Sequence, residues 1–208
     1  MNGLFVTFEG IEGCGKSTQA KRVEAHLKEQ GYTVLLTREP GGTPIAEAIR
    51  GVLLDPANVA MSPVTELLLY EAARAQHVAE RIRPALEKGT VVICDRFADS
   101  TTAYQGAGRA LSAENVAYLH DLATAGTMPD LTILLDLPVE EGLARAGRIN
   151  EPDRLEAEPV AFHRRVRDGF LRIAEQDPER VKVLDGSRPP DDIAADVQRI
   201  VEERLDQR

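Results

Sequence analysis

The chain has 208 residues, of which 43% are hydrophobic and 28% are charged, and its formal net charge is −9. This length accommodates one globular domain, and the composition is typical of a soluble protein. The acidic balance argues against a surface that tracks a nucleic-acid backbone, since such a surface must be basic. No apolar run approaches bilayer length and no signal peptide is recognisable, so we expect a cytoplasmic protein that binds neither nucleic acid nor membrane.

The first predicted element is a β-strand at residues 4–8, which leads into the phosphate loop, Gly10-Ile11-Glu12-Gly13-Cys14-Gly15-Lys16-Ser17. A Gly-x-x-x-x-Gly-Lys-Ser pattern turns backbone N–H groups around polyphosphate oxygens. Lys16 then reaches the β- and γ-phosphates, and the Ser17 hydroxyl can hold Mg²⁺. Apolar residues at helical spacing predict a helix that begins near Gly15, whose positive end favours the same anion. This stretch therefore predicts a site for ATP and Mg²⁺.

The rest of the chain alternates predicted strands and helices. Further strands are predicted at residues 33–37, 90–94, 131–135 and 181–184, and helices at 45–53, 62–86 (one or two), 112–125, 139–146, 159–175 and 191–205. This alternation predicts an α/β three-layer sandwich with a mostly parallel five-stranded sheet, of the P-loop NTPase type. We expect residues 1–208 to form a single domain.

Two of the predicted strands end in aspartate, and phosphate-loop proteins place such a residue near Mg²⁺. Asp95 is the stronger metal candidate, because Arg96 follows it and a carboxylate beside a cation suits both metal and phosphate. Asp136 is predicted to cap the following helix instead. The sequence therefore predicts Ser17 and Asp95 as the metal site.

Arginines are frequent near the predicted strand ends of this acidic chain. Open α/β sheets bind ligands at the carboxyl ends of their strands, so these side chains are candidates for phosphate binding. The arginines are Arg38, Arg74, Arg96, Arg145, Arg148 and Arg154. Residues 147–156 are polar and rich in helix breakers, and this segment is a candidate lid over a phosphoryl-transfer site.

Six motifs, taken in order, resemble the bacterial thymidylate kinase family, and the similarity runs essentially end to end. They are the run from Phe8 through the phosphate loop to Thr18, Arg38-Glu39-Pro40-Gly41-Gly42, Tyr70 with Ala72-Ala73-Arg74, Asp95-Arg96-Phe97, Ala103-Tyr104-Gln105-Gly106 and Asp153-Arg154-Leu155-Glu156. The resemblance implies transfer of the γ-phosphoryl group of ATP to dTMP, with Mg²⁺, to give dTDP. It also implies a homodimer built from helices such as the one predicted at 62–86.

The resemblance also implies roles for individual residues. Glu12 meets the sugar 3′-hydroxyl, while Arg38 and Arg96 grip the acceptor phosphate. Tyr70 stacks on thymine and Arg74 hydrogen-bonds its exocyclic oxygen. The deoxyribose and the base are lined by Thr101, Tyr104 and Gln105.

The phosphate loop departs from some family members, which carry an arginine at the position of Gly13. The cation that neutralises the transferring phosphoryl group should then come from the lid. We assign Arg148 to this catalytic role, together with Lys16, Arg96 and Glu12. Arg145 is assigned to ATP binding with residues 10–18, and Arg154 is expected to hold the lid by pairing with an acid.

Two alternatives stay open at this point. The chain could be another deoxynucleotide or deoxynucleoside kinase of the same fold. It could also be a regulatory NTP-binding switch, which needs a glutamine or an equivalent group to orient water. Gln105 is the only glutamine in a plausible loop, and its neighbours match an acceptor pocket better.

Overall fold

The computed structural model describes residues 3–147 and 153–207. The strands are Phe5–Glu9 (β1), Val34–Arg38 (β2), Val91–Asp95 (β3), Leu131–Asp136 (β4) and Val181–Asp185 (β5). They form one sheet in the order β2-β3-β1-β4-β5, and every neighbouring pair is parallel. The predicted α/β class and the five-stranded sheet are confirmed.

Helices flank this sheet, and most of them begin and end within a few residues of the predicted positions. They are Lys16–Glu29 (α1), Pro44–Leu54 (α2), Pro63–His77 (α3), Arg83–Glu87 (α4), Ala98–Thr101 (α5), Ala113–Thr124 (α6), Val139–Ala146 (α7), Val160–Gln176 (α8) and Pro190–Asp206 (α9). A π-helical segment, Val78–Ile82, joins α3 to α4 without a break. Side chains at the N-caps of α2 and α3, Thr43 and Ser62, accept hydrogen bonds from backbone amides of the first turn.

Two features differ from the sequence prediction. Residues 98–108 are helical, as α5 followed by the π-helical segment Thr102–Gly108, although their apolar spacing does not indicate a helix. Asp136 does not cap α7, because the N-cap is Pro138 and no side chain caps this helix. The Asp136 carboxylate instead accepts two hydrogen bonds from Arg167, at 2.7 and 2.8 Å.

The two faces of β1 bury different side chains, because side chains alternate along a strand. Val6 and Phe8 belong to the larger apolar cluster, which includes Val23 and Leu27 of α1. Phe5 belongs to a second cluster on the other face, with residues of β3 and of the π-helical segment 78–82. The strands are therefore covered on both sides, as a parallel sheet requires.

The parallel register sets the last residues of the strands along one edge of the sheet. Asp95 lies beside Phe8 in one neighbouring strand and beside Arg38 in the other. On the far side of β1, Glu9 pairs in register with Leu134. The phosphate loop starts at this edge, so the polar groups that end the strands lie around it.

Helix α8 packs against the π-helical segment 102–108 through glycine. A Cβ atom added to Gly169 of α8 would lie 2.9 Å from the Cβ of Ala107 and 3.2 Å from the Cα of Ala103. Real Cβ atoms almost never approach another atom as closely as 2.9 Å, so only glycine fits here without movement of the segment that carries Tyr104 and Gln105.

We expect Gly169→Val to lower the free energy of unfolding by about 1–3 kcal/mol, because the added atoms overpack this contact. Urea denaturation followed by circular dichroism measures the change. Gly51→Val is the matched control, since a Cβ there meets no atom within 4 Å on the exposed side of α2. An equal decrease in the free energy of unfolding for Gly169→Val and Gly51→Val would contradict the packing argument.

Candidate active site

The phosphate loop has the conformation of an anion-binding turn. Gly10, Gly13 and Gly15 have φ values of 135°, 68° and 98°, in the region that favours glycine. A Cβ on Gly13 would lie 2.1 Å from the carbonyl oxygen of Gly142, so α7 packs directly on the loop. Among residues 3–147 and 153–207, no acceptor receives a hydrogen bond from the backbone amides of residues 13–17. These donors therefore fit the phosphate groups of a nucleotide.

Lys16 and Ser17 open α1 directly after this turn. The Lys16 ammonium group is buried and donates to the carbonyl oxygen of Ile11 at 2.7 Å, which folds its side chain back over the loop. The Ser17 hydroxyl donates to the Asp95 carboxylate at the end of β3. The structure therefore brings the two predicted metal ligands into contact, and a hydroxyl beside a carboxylate is an oxygen donor set that fits Mg²⁺.

Glu12 of the loop lies in a buried polar cluster. Its Oε1 accepts from the Tyr104 hydroxyl and lies 3.4 Å from Nη2 of Arg96, while His163 Nδ1 is 3.3 Å from its Oε2. Burial alone would raise the pKa of Glu12, but His163, Arg96 and Lys16 outweigh burial and hold the pKa well below its usual range. Glu12 is therefore an anion in the folded protein at neutral pH.

Arg96 connects this cluster to the loop. Its φ is 70°, an uncommon conformation for a residue other than glycine. The guanidinium donates to the Gly10 carbonyl at 2.9 Å and to the Ser100 hydroxyl at 3.2 Å, and it stacks over the Tyr104 ring at 5.1 Å. These contacts fix a positive charge beside the loop.

A cavity of about 350 Å³, the central cavity, opens next to the phosphate loop. Every predicted substrate-binding residue lines it, together with part of the loop and both predicted metal ligands. These residues are Glu12, Gly13, Lys16, Ser17, Arg38, Tyr70, Arg74, Asp95, Arg96, Thr101, Tyr104 and Gln105. The remaining loop residues assigned to ATP, which are Gly10, Ile11, Cys14, Gly15 and Thr18, do not line this cavity, and neither does Arg145.

Arg74 is buried at one wall of the central cavity and is held by three side chains. Its Nε donates to Glu39 at 2.9 Å, one Nη to Glu71 at 2.8 Å and the other to Thr101 at 3.0 Å. A guanidinium has five N–H groups, so two are left for a ligand.

Burial raises the pKa of the neighbouring Tyr70 hydroxyl well above its usual value.

Sequence reasoning missed a further residue that lines the cavity, Arg50, and a residue that pairs with the lining, Glu47. Arg50 lines the cavity and donates to the Pro40 carbonyl at 2.8 Å, while Glu47 pairs with Arg38 at 3.0 Å. Both lie on α2 and follow the motif that contains Gly41 and Gly42. Their positions three residues apart on one helix were the available signal.

The predicted lid, residues 147–156, is described only at Gly147 and from Asp153 onward, so Arg148 lies outside the described residues. Arg145 donates to the Gly186 carbonyl at 3.0 Å and pairs with Glu141. Its Cβ is close to the loop, 3.1 Å from where a Cβ on Gly13 would lie. Arg154 pairs with Glu66, as expected for a residue held by an acid.

Known proteins resemble this chain over nearly its whole length. A sequence profile described as thymidylate kinase matches residues 8–197. The chain is 56% identical over 209 residues to the thymidylate kinase of Geotalea uraniireducens, with 98% of each chain covered. It belongs to the thymidylate kinase family. The thymidylate kinase of Deinococcus radiodurans is 53% identical, over 97% of this chain and 98% of that protein.

A solved structure supports the same family assignment. The crystal structure of thymidylate kinase from Ehrlichia chaffeensis superposes with a TM-score of 0.79 at 34% identity, covering 97% of this chain and 99% of that one. The sheet and its flanking helices are thus those of the thymidylate kinase fold. In the part of the chain that the structure describes, no helix is both long and apolar enough to cross a membrane.

Another buried carboxyl group of this family member, Glu9, lies at the end of β1 directly before the phosphate loop. It accepts hydrogen bonds from the backbone amide of Phe97 at 2.7 Å and from the Ser100 hydroxyl at 2.5 Å. Burial, reinforced by the negative charge of Asp99, raises its pKa from 4.5 to about 8. Glu9 therefore keeps its proton in the folded protein at pH 7 and loses it on unfolding.

This raised pKa predicts a pH-dependent contribution to stability. The contribution of Glu9 is fully present below about pH 4.5 and is lost as the pH rises towards 8, because the unfolded chain binds fewer protons over that range. We expect the stability of the wild type relative to Glu9→Gln to fall by about 1 kcal/mol per pH unit between pH 5 and 8. Urea denaturation at each pH measures this, with Glu29→Gln as the control, since Glu29 is an exposed residue at the end of α1. If the difference in the free energy of unfolding between the wild type and Glu9→Gln does not change with pH, the prediction is wrong.

Proposed function

We propose that this chain transfers the γ-phosphoryl group of ATP to dTMP. An oxygen of the dTMP phosphate attacks the γ-phosphorus, the bond from that phosphorus to the β–γ bridging oxygen breaks, and the products are dTDP and ADP. The observation that carries this proposal is the shared wall of the central cavity, where the phosphate loop, the Glu12–Arg96 pair and the Tyr70–Arg74 pair all meet. One cavity thus offers groups for a donor phosphate, an acceptor phosphate and a base.

The chain's charged groups supply the positioning that this reaction requires. Two phosphates repel each other, and the fixed cations of Lys16 and Arg96 reduce that repulsion along the line of transfer. Arg38, at the end of β2, adds a guanidinium to the acceptor side. Mg²⁺ held by Ser17 and Asp95 would neutralise charge on the β- and γ-phosphate oxygens.

Glu12 is proposed to orient the acceptor through its sugar. Because its carboxylate is ionised and buried, it accepts hydrogen bonds only, and a 3′-hydroxyl is a suitable donor. The Tyr104 hydroxyl donates a hydrogen bond to Oε1 of Glu12, and this contact holds the tyrosine ring beside the sugar. This placement supports a deoxyribonucleotide, since a ring packed against the sugar leaves little room for a 2′-hydroxyl.

The lid and its cations belong to the same proposal. Residues 147–156 close over the transferring group and exclude water, with Arg148 as the catalytic cation and Arg145 at the ATP side. The contact of Arg145 with Gly186 supports its half of this assignment, because Gly186 also approaches the phosphate loop, with the Cys14 carbonyl 3.4 Å from a Cβ built there. The cytoplasm is the compartment proposed for this activity.

A coupled assay of ADP formation with dTMP, dUMP, dGMP and AMP tests the substrate. We expect dTMP to give the highest kcat/KM and Lys16→Met to lower kcat at least 100-fold, because that variant removes a cation from the transferring group. Lys182→Met is the control, since Lys182 lies on the edge strand β5 and binds the Pro178 carbonyl. Preference for AMP or dGMP, or ATP hydrolysis that no monophosphate stimulates, would contradict the proposal.

We also propose that the chain forms a homodimer through α3 and α6. These helices pack against each other and still leave large apolar side chains in solvent, with Leu68 50% and Leu122 67% exposed. Val64 and Tyr118, on the same two helices, are also exposed. Apolar groups that the monomer leaves uncovered are typical of a surface that another chain buries.

Negative charges introduced on α3 and α6 should dissociate the proposed dimer. We expect Leu68→Glu combined with Leu122→Glu to shift the protein from dimer to monomer in sedimentation experiments, because two carboxylates would be buried without partners. Val59→Glu is the control, since Val59 is 81% exposed between α2 and α3. A wild type that sediments as a monomer would contradict the dimer.

A further inference from the structure

Glu66, in the first turn of α3, is buried next to the central cavity and takes no part in the proposed reaction as described above. Its Oε1 accepts from Nε2 of Gln105 at 2.8 Å and from Nε of Arg109 at 3.1 Å. Its Oε2 accepts from Nη2 of Arg109 at 3.0 Å and from Nη1 of Arg154. Four donors thus converge on one carboxylate.

This carboxylate is an anion that can only accept hydrogen bonds. Burial would raise the pKa of Glu66, but the hydrogen bonds from Arg109, Gln105 and Arg154 outweigh burial, and the pKa lies below its usual value. An ionised carboxylate has no proton to donate. Any group that faces Glu66 must therefore present a donor.

Because Glu66 can only accept hydrogen bonds, it determines the orientation of the Gln105 side-chain amide. An amide has a donating end, its NH₂ group, and an accepting end, its carbonyl oxygen. Turning the oxygen towards Glu66 would bring two acceptors together in a buried site, which is strongly unfavourable. The NH₂ group therefore faces Glu66, and the carbonyl oxygen is the end left for the central cavity, where no residue that the structure describes donates to it.

We propose that Glu66 is a positioning residue that holds the Gln105 amide with its oxygen towards the nucleobase, and so selects bases with an N–H group at ring position 3. Thymine and uracil carry a hydrogen at N3, whereas cytosine has a lone pair there. The Gln105 oxygen accepts from the first kind of base and repels the second. This inference rests on the proposed function, because it concerns the base of the acceptor nucleotide.

Arg74 lies on the same helix as Glu66 and complements this arrangement, because its hydrogen bond to Thr101 places it close to the segment that carries Gln105. Its two unused N–H groups suit the exocyclic oxygen of thymine, which is an acceptor, and oppose the exocyclic amino group of cytosine. The carboxylates of Glu39 and Glu71 hold Arg74 in the same way that Glu66 holds Gln105. The Arg74 donor and the Gln105 acceptor together recognise one edge of the base.

The test compares dTMP with dCMP as acceptors for the full chain. Glu66→Gln replaces an acceptor-only group with an amide that can face Gln105 in either orientation, so the Gln105 amide is free to turn. We expect KM for dTMP to rise about tenfold and the ratio of kcat/KM for dTMP over dCMP to fall at least tenfold, with KM for ATP unchanged, as for a lost or mispaired buried hydrogen bond. The change in acceptor ratio is a readout that general loosening of the structure would not produce.

Arg109→Gln is the matched control, because Arg109 pairs with the same carboxylate and, in the described part of the chain, makes no hydrogen bond with Gln105. We expect its acceptor ratio to stay within twofold of the wild type. If Glu66→Gln alone does not fold, as judged by its melting curve, Glu66→Gln combined with Arg109→Gln removes one charge of each sign and should show the same fall in ratio. An unchanged ratio in the folded Glu66 variant, or an equal fall in Arg109→Gln, overturns the inference.

A crystal structure of the wild type with dTMP gives an independent readout. We expect ring N3 within hydrogen-bond distance of the Gln105 amide, with the other end of that amide on Glu66. An enzyme that phosphorylates dTMP while its base lies away from Gln105 overturns the inference and leaves the proposed function intact. An enzyme that accepts dCMP or AMP but not dTMP overturns both.

Discussion

Within the residues that the structure describes, every arginine that lines the central cavity is held by an acceptor of the protein itself. Arg96 is bound by Glu12 and by a loop carbonyl, Arg74 by Glu39 and Glu71, and Arg38 by Glu47. A guanidinium left alone in a partly buried site would be unfavourable and would move. Because the carboxylates are present, the cations stand in place before any nucleotide arrives, which is the condition for stabilising a charged transition state without reorganisation.

This pairing also shows how a chain with a net charge of −9 can contain a site for polyanions. The negative charges include buried carboxylates such as Glu12, Glu39 and Glu66, which neutralise arginines rather than face solvent. A nucleotide would therefore meet guanidinium groups that still have free N–H donors, as Arg74 does. Total charge thus says little about the sign of the potential inside the central cavity.

The sequence alone predicted the parts of this protein that local pattern determines. The strands β1, β3 and β4 are short apolar runs with clear ends, and the phosphate loop is set by glycine and lysine at fixed offsets. The π-helical segment 102–108 shows neither an apolar run nor a fixed motif, because its residues contact α8 on one side and the cavity on the other. Asp136 was assigned to a local cap for the same reason, since its partner Arg167 lies 31 positions away.

The candidate site likewise contains some residues that the sequence could identify and others that it could not. Residue types and motif order were enough to nominate the lining of the central cavity, and the structure brings those residues together. Glu66 and His163 could not be nominated, because their partners Gln105 and Glu12 are 39 and 151 positions away, counted as 105 minus 66 and 163 minus 12. No spacing rule connects residues at such separations, and only the packing of α3 and α8 against the segment 102–108 brings them into contact.

Glu12 belongs to the phosphate loop by sequence and, through its contacts with Arg96 and Tyr104, to the proposed acceptor side. One side chain therefore joins the two halves of the site. An engineer who wished to broaden the choice of acceptor could vary Tyr70 or Gln105 with the loop unaltered. Position 12 offers no such freedom, because any replacement there would disturb the donor pocket and the acceptor pocket together.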